Sequence, residues 1–261
     1  MYAVTADSED PLTGRLTGVG GGQLRAARAA GLTAIVGDVS KAEFGEFTLR
    51  SNLEDLDWVE RTARAHHAVI KAVAEQCPVV PMRLATVYAS DRGVVQTLRQ
   101  RAGDLRVALA RITARSEWGV KAYAAEPTDL GPAPGRPAGD QASPAIGPGA
   151  AYLQRRRAQL TADKDARRSA MASAQAVYAE LCRLAASARL YPPQSPDLSG
   201  RRAPMVLNAA YLVPDERAGD FAAAVTDLGA SARSVRLVLT GPWPAYSFVG
   251  GNDGAIRDEG A

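Results

Sequence analysis

The sequence predicts an α+β chain of two domains. Three observations carry that prediction. Short β-branched or alternating runs are interspersed with stretches whose apolar residues recur at steps of three and four. A proline- and glycine-rich segment interrupts the chain near its middle. A length of 261 residues favours two domains over one. The expected boundaries are an N-terminal α+β domain over 1–116, a second domain over 117–249 and a flexible tail over 250–261.

The N-terminal elements follow in order. Met1 to Ala6 reads as a short strand, Gly18 and Gly20 to Gly22 as a loop, and Leu32 to Val39 as a β-branched, buried strand. A helix is expected from about Asp55 to Gln76, with Leu56, Val59, Ala63, Ile70 and Val73 on its packed face and His66 or His67 bridging the gap. Acidic residues cluster at its start, where the helix dipole favours them. Pro78 and Pro81 end it and open a strand over Val79 to Tyr88. Ser90 caps a second helix carrying Val94, Leu98, Leu105, Leu109 and Ile112 on one stripe.

Glu117 to Ala124 reads as a strand with Trp118, Val120 and Ala122 on one side. Residues 127–149 then hold six prolines and five glycines. Such a stretch buries too little apolar surface to offset its ordering entropy, and a disordered loop is expected. Ala150 to Leu190 reads helical, with a seven-residue beat through Leu153, Leu160, Ala174, Leu181 and Ala188 that breaks at Arg167. A straight helix of that length would extend ~60 Å, so tandem helices with a break near Asp163 to Asp165 are expected. Val206 to Val213 is a strand, Pro214 opens a helix that includes Phe221 and Val225, and Ser234 to Thr240 alternates as a strand. The second domain therefore resembles a split β-α-β sandwich with its helices on one face.

The segment Leu239 to Val249 is unusual in kind. Pro242 and Pro244 flank Trp243, and Tyr246 and Phe248 follow at every second position. Because proline lacks a backbone donor, the segment reads as a strand, a rigid corner at Gly241 to Pro244, and a short edge strand. It serves either as a proline-stiffened hairpin that plugs a core with Trp243 or as a partner surface of rigid aromatics beside an exposed strand edge.

Composition excludes several classes. Hydrophobic residues at 46% and charged residues at 23% are ordinary for a soluble globular protein. A net charge of +3, from 31 basic and 28 acidic residues, is too balanced to argue for nucleic acid. Cys77 and Cys182 stand alone, which suggests neither a disulfide framework nor a zinc site and fits a reducing cytoplasm. The N-terminus carries no secretory pattern, and no apolar run approaches the ~20 residues needed to span a membrane.

The search for chemistry returns no catalytic, cofactor-binding or metal-binding residue. Gly18-Val19-Gly20-Gly21-Gly22-Gln23 places Gln23 where a dinucleotide fingerprint needs its third glycine, and no P-loop lysine follows. His66 and His67 are adjacent on a helix, so they point about 100° apart and cannot chelate jointly. His66 faces the packed side, as a core histidine bonded to a carbonyl or carboxylate would. Arg83 lies among apolar neighbours, either reaching solvent or paired with a buried carboxylate. Arg155 to Arg157 with Lys164, Arg167 and Arg168 form a basic helical run, but no aromatic stacking set accompanies them.

Several segments together resemble the gas vesicle protein F/L family. They are Ala65-His66, the run Pro81 to Tyr88, Glu117-Trp118-Gly119-Val120-Lys121, Ala151-Tyr152-Leu153 with Arg155 to Arg157, Asn208 to Val213 around Tyr211, and Thr240 to Phe248. Leu84 and Ala85 stand where the family usually has phenylalanine and glycine, and Ala245 where a second proline is common. The resemblance implies a two-domain α+β architecture with a modified ferredoxin-like second domain, here extended by tandem helices. It also implies an accessory or minor structural protein of gas vesicle assembly that is not an enzyme and uses no cofactor. The implied partners are the major gas vesicle shell protein and other accessory gas vesicle proteins, with no nucleic acid and no membrane. The implied place is the cytoplasm and the gas vesicle, on the gas-facing surface of its shell. Candidate partner-binding residues are Trp243, Pro244, Tyr246 and Phe248, and candidate structural residues are His66, Arg83, Trp118 and Tyr211. Two other functions compete: a small-molecule-binding regulatory protein on a ferredoxin-like domain, and an enzyme that uses His66 as base.

Overall fold

The computed structural model describes residues 1–7, 16–125, 148–195 and 203–250. All of the expected loop except residues 148 and 149, and the tail beyond residue 250, lie outside the described residues. The chain forms two compact units, Met1–Glu117 with Pro242–Ala261, and Trp118–Gly241. The aromatic segment from Pro242 therefore belongs with the first unit and not, as its place in the sequence suggested, with the second.

The first unit holds a four-stranded sheet of β1 (Ala3–Ala6), β2 (Leu24–Ala29), β3 (Leu32–Gly37) and β4 (Val80–Pro81), in the order β2-β3-β1-β4. Each neighbouring pair is antiparallel. β3 lies inside the sheet because Leu32, Ala34, Ile35 and Val36 are all buried. β2 joins it through Ala30 (φ 52°) and Gly31 (φ 68°), the pair of left-handed residues that a two-residue type I′ hairpin needs. Five helices follow: α1 (Lys41–Phe44), α2 (Glu46–Asn52), α3 (Leu56–Ala74), α4 (Asp91–Gln100) and α5 (Ala102–Ile112).

α3 starts where Asp55 accepts hydrogen bonds from the backbone N–H groups of Asp57 and Trp58. Its buried stripe is Trp58, Thr62, His66, Val69, Ile70 and Val73. Leu56, expected on that face, is 81% exposed. The stripe Val94, Leu98, Leu105, Leu109 and Ile112 is buried as expected, but the helix carrying it breaks at Arg101 into α4 and α5. Ser90 stands at the N-cap of α4 without a capping side-chain bond.

The expected strand over Val79 to Tyr88 is reduced to Val80–Pro81. Met82 N–H makes one more bond to the Tyr2 carbonyl, and the chain then turns. Thr86 donates to the Arg83 carbonyl from both its N–H and its hydroxyl, with Ala85 at φ 62°.

The second unit contains most of β5 (Arg115–Ala124), α6 (Pro148–Leu184), β6 (Ser187–Leu190), β7 (Met205–Pro214), α7 (Ala218–Ser231) and most of β8 (Val235–Trp243). The sheet order β6-β7-β5-β8, with β6 and β7 antiparallel, is the split β-α-β-β-α-β arrangement of ferredoxin-like folds. Its core joins Trp118, Val120 and Ala122 of β5 to Leu207 and Tyr211 of β7, to Ala174, Val177 and Leu181 of α6, and to Phe221 and Val225 of α7.

Three expectations for this region need correction. β6 lies inside the stretch read as helical. The tandem helices are one helix of 37 residues, about 55 Å long. Nothing breaks it near Asp163, because no proline or glycine occurs there and the pairs Thr161 to Arg157 carbonyl and Arg168 to Asp165 bridge that turn. Among described side chains, every one from Tyr152 to Ser169 is exposed and burial begins at Ala170, so only the second half of α6 packs on the sheet. Finally, β8 continues through the expected corner to Trp243, and Tyr246–Phe248 is a single 3-10 turn, not an edge strand. Pro242 is tolerated because β8 is an edge strand, where a missing N–H need not break a ladder.

Candidate functional site

The segment Pro242 to Val249 presents aromatic rings from a fixed mount. Ala245 and Phe248 are buried, while Trp243 (42%) and Tyr246 (38%) remain exposed. Glu117 holds the turn: its carboxylate accepts Ser247 N–H at 2.7 Å and Ser247 Oγ–H at 2.6 Å. Arg111 Nη1 donates to the Phe248 carbonyl at 3.4 Å. Pro244 and Ala245 carbonyls accept from Tyr246 N–H and Phe248 N–H, closing the turn locally.

His67 of α3 links the two exposed rings. Its Nδ1 lies 2.9 Å from the Tyr246 hydroxyl, and its ring meets Trp243 edge-on at 5.4 Å. Burial, with Lys71 nearby, pushes the imidazole below its ordinary pKa. Burial, with Glu117 second, pushes the Tyr246 phenol up to about 12. Both groups are therefore uncharged at neutral pH. With the imidazole proton on Nε2, Tyr246 donates its hydroxyl to Nδ1. The result is a partly exposed aromatic surface whose rotamers are already fixed, which lowers the entropy cost of binding.

His66, one position earlier, points into the core. Its Nε2 lies 3.0 Å from the Met82 carbonyl, its ring is 5.2 Å from that of Tyr2, and burial lowers its pKa. It also borders a cavity of about 770 Å³ whose lining includes Tyr2, Arg25, Asp38, Thr86 and Asp91. Three of the charged groups there are engaged with one another: Arg25 pairs with Asp38 at 3.0 Å and with Asp91 at 2.6 Å. Tyr2 Oη accepts Val19 N–H at 2.8 Å, and a Cβ on Gly18 would collide with that same oxygen. Close packing against Tyr2 therefore accounts for Gly18 without a phosphate.

The other sequence candidates take structural places. Arg83 is exposed on the turn after β4, so the buried ion pair considered for it is not formed. Trp118 packs at 6.0 Å from Phe221, and Tyr211 at 5.3 Å from Phe221 and 6.0 Å from Tyr178. Burial drives the Tyr211 phenol far upward, and its hydroxyl has no hydrogen-bond partner among the described residues. Arg156, Arg157, Lys164, Arg167 and Arg168 form a solvated helical face, while the Arg155 side chain lies outside the described residues. Among the described residues no cluster of three metal-ligating side chains occurs, and no helix is long and apolar enough to cross a membrane. Sequence reasoning missed Arg111, Glu117, Ser247 and His67 as supports of the aromatic segment. Glu117 and Ser247 are 130 positions apart and His67 and Tyr246 are 179 apart, with no local pattern to join them.

Comparison with known proteins identifies the family. The model of the family described as gas vesicle synthesis protein GvpL/GvpF matches residues 1–250. The chain belongs to this family. Gas vesicle protein L of Streptomyces sp. (strain CB03234) is 41% identical over 255 residues, covering 96% of this chain and 92% of that protein. Gas vesicle protein F1 of Halobacterium salinarum is 36% identical over 56 residues, covering 22% of this chain and 26% of that protein. The crystal structure of GvpF from Anabaena sp. PCC7120 shares the fold at a TM-score of 0.66 and 17% identity, over 97% of this chain and 95% of that one. GvpF from Microcystis aeruginosa does so at 0.64 and 16%, over 95% and 97%. Family membership gives this chain a role in gas vesicle assembly.

Proposed function

We propose that this GvpL/GvpF-family chain binds the major gas vesicle shell protein and helps to nucleate or extend the vesicle wall. The observation that carries the proposal is the pair of exposed rings, Trp243 and Tyr246, mounted on His67 and Glu117 in a chain of a gas vesicle synthesis family. Large rigid aromatics give much contact area for little lost rotamer entropy, which is why they dominate interface hot spots. Pro244 stiffens the approach, and the buried Phe248 anchors it. Pro242 at the end of an edge strand discourages the same edge from pairing with a second copy. A wall-forming protein self-associates, so a surface that holds single subunits favours ordered growth over aggregation. We place the chain on the gas-facing surface of the shell as part of the same reading.

The test is co-purification of the shell protein with the wild-type chain and with Trp243→Ala/Tyr246→Ala. The double variant is expected to lose most of the captured shell protein while its circular dichroism stays unchanged. Equal capture by a folded double variant would remove this surface from the mechanism.

A further inference from the structure

Within the second unit, a groove of about 690 Å³ lies between β8 and α7. Its apolar lining is Val225, Gly229 and Ala230 from α7 and Val235, Leu237 and Leu239 from β8. Two features make it more than a surface dent. β8 is an edge of the four-stranded sheet, so one row of its backbone N–H and C=O groups faces away from β5. The helix wall is also low: a Cβ at Gly229 would already be in van der Waals contact with Leu237, at 3.9 Å, so a larger side chain at that position would fill the groove over the strand. Over Val235 to Thr240 the edge offers about 20 Å, room for a strand of about six residues.

Charge selects the occupant. Arg233 and Arg236 line the groove, both exposed, and no carboxylate is among its described lining residues. Neither guanidinium has an ion-pair partner among the described residues. A strand edge with no neighbour among the described residues, an adjacent apolar trough and two exposed cations together match an added extended strand, not a helix or a flat surface.

We propose that β8 and α7 form a strand-addition site for an extended segment of a partner protein, with apolar side chains at alternate positions and at least one carboxylate that meets Arg233 and Arg236. The added strand hydrogen-bonds to the edge of β8. Its alternate side chains enter the trough over Leu237 and Leu239, and its carboxylate sits at the Val235 end. The proposal rests on the reading that this chain grips the shell protein, and adds a second, separate contact to it.

The test uses the full-length chain with two kinds of variant and the purified shell protein as probe. Gly229→Leu fills the trough from a helical position where leucine raises helix propensity, so the fold is retained. Arg233→Glu/Arg236→Glu reverses the charge without touching the apolar lining. Each is expected to weaken shell-protein binding about tenfold or more, and the charge reversal is expected to flatten the salt dependence of binding. In the wild-type complex, amide exchange along β8 is expected to slow at alternate positions. Normal binding by both variants, alongside loss in Trp243→Ala/Tyr246→Ala, would overturn the groove and leave the aromatic surface standing. Failure of the wild-type chain to bind the shell protein would sink both. A second copy of this chain in the groove would appear as a dimer that Gly229→Leu dissociates, and that result would also overturn the proposal.

Discussion

Glu117 carries the most local of the consequences. The residue is 9% exposed, and its carboxylate accepts two bonds from Ser247, at 2.7 and 2.6 Å. A hydrogen bond to a charged acceptor contributes about 1.5–3 kcal/mol. Glu117→Ala removes both, yet leaves space through which water can reach the orphaned donors, so the lower end applies and about 3 kcal/mol is expected. For a unit of this size that corresponds to a fall in melting temperature of about 10 °C. Glu117→Gln should lose roughly half as much. Its amide oxygen still accepts Ser247 N–H while its NH₂ donates to Oγ, and only the charge assistance disappears. Native-state hydrogen exchange gives the decisive local readout. The Ser247 amide is expected to be protected in the wild type, partly in the glutamine variant and least in the alanine variant. If alanine leaves both Ser247 protection and melting unchanged, Glu117 does not hold the turn that presents Trp243 and Tyr246.

Three further outcomes follow from the same geometry. Ala85 sits at φ 62°, where a Cβ is strained, so Ala85→Gly is expected to raise stability by about 0.5–1 kcal/mol in denaturant unfolding. His66 and His67 both have lowered pKa values in the folded chain, so the unfolded chain takes up their protons first as pH falls. Their stabilising contribution is complete above about pH 6.5 and shrinks below it, and urea midpoints should show that slope weakened in His66→Asn. Phe221 is fully buried against Trp118 and Tyr211, so Phe221→Ala should cost about 3–5 kcal/mol by calorimetry.

Where sequence reading succeeded and failed has physical causes. Asp55 marks the start of α3 because a short acidic side chain at that place satisfies free N–H groups. Only the first turn of α3 departs from the expected face: Leu56 is exposed and Trp58 supplies the anchor, while His66, Ile70 and Val73 are buried as the spacing predicts. β2 escaped notice because Leu24-Arg25-Ala26-Ala27-Arg28-Ala29 has little strand propensity and its turn, Ala30-Gly31, lacks the usual asparagine or aspartate. β6 was hidden within a run free of proline and glycine. α6 kept its seven-residue beat although Leu153 and Leu160 touch no core, so periodicity alone could not say which half packs. The aromatic segment was visible as a motif, but its mount on His67 and Glu117 arises only when distant elements meet.

The central claim is that the Trp243 surface faces the shell protein during wall growth. Replacing Trp243 with the photo-crosslinker p-benzoylphenylalanine and irradiating cells as vesicles assemble tests it directly. The account predicts a covalent adduct containing the shell protein from position 243, and little or none from the control position Phe47, which is 89% exposed. Equal yields from the two positions, or no shell-protein adduct from position 243 while vesicles form normally, would contradict it.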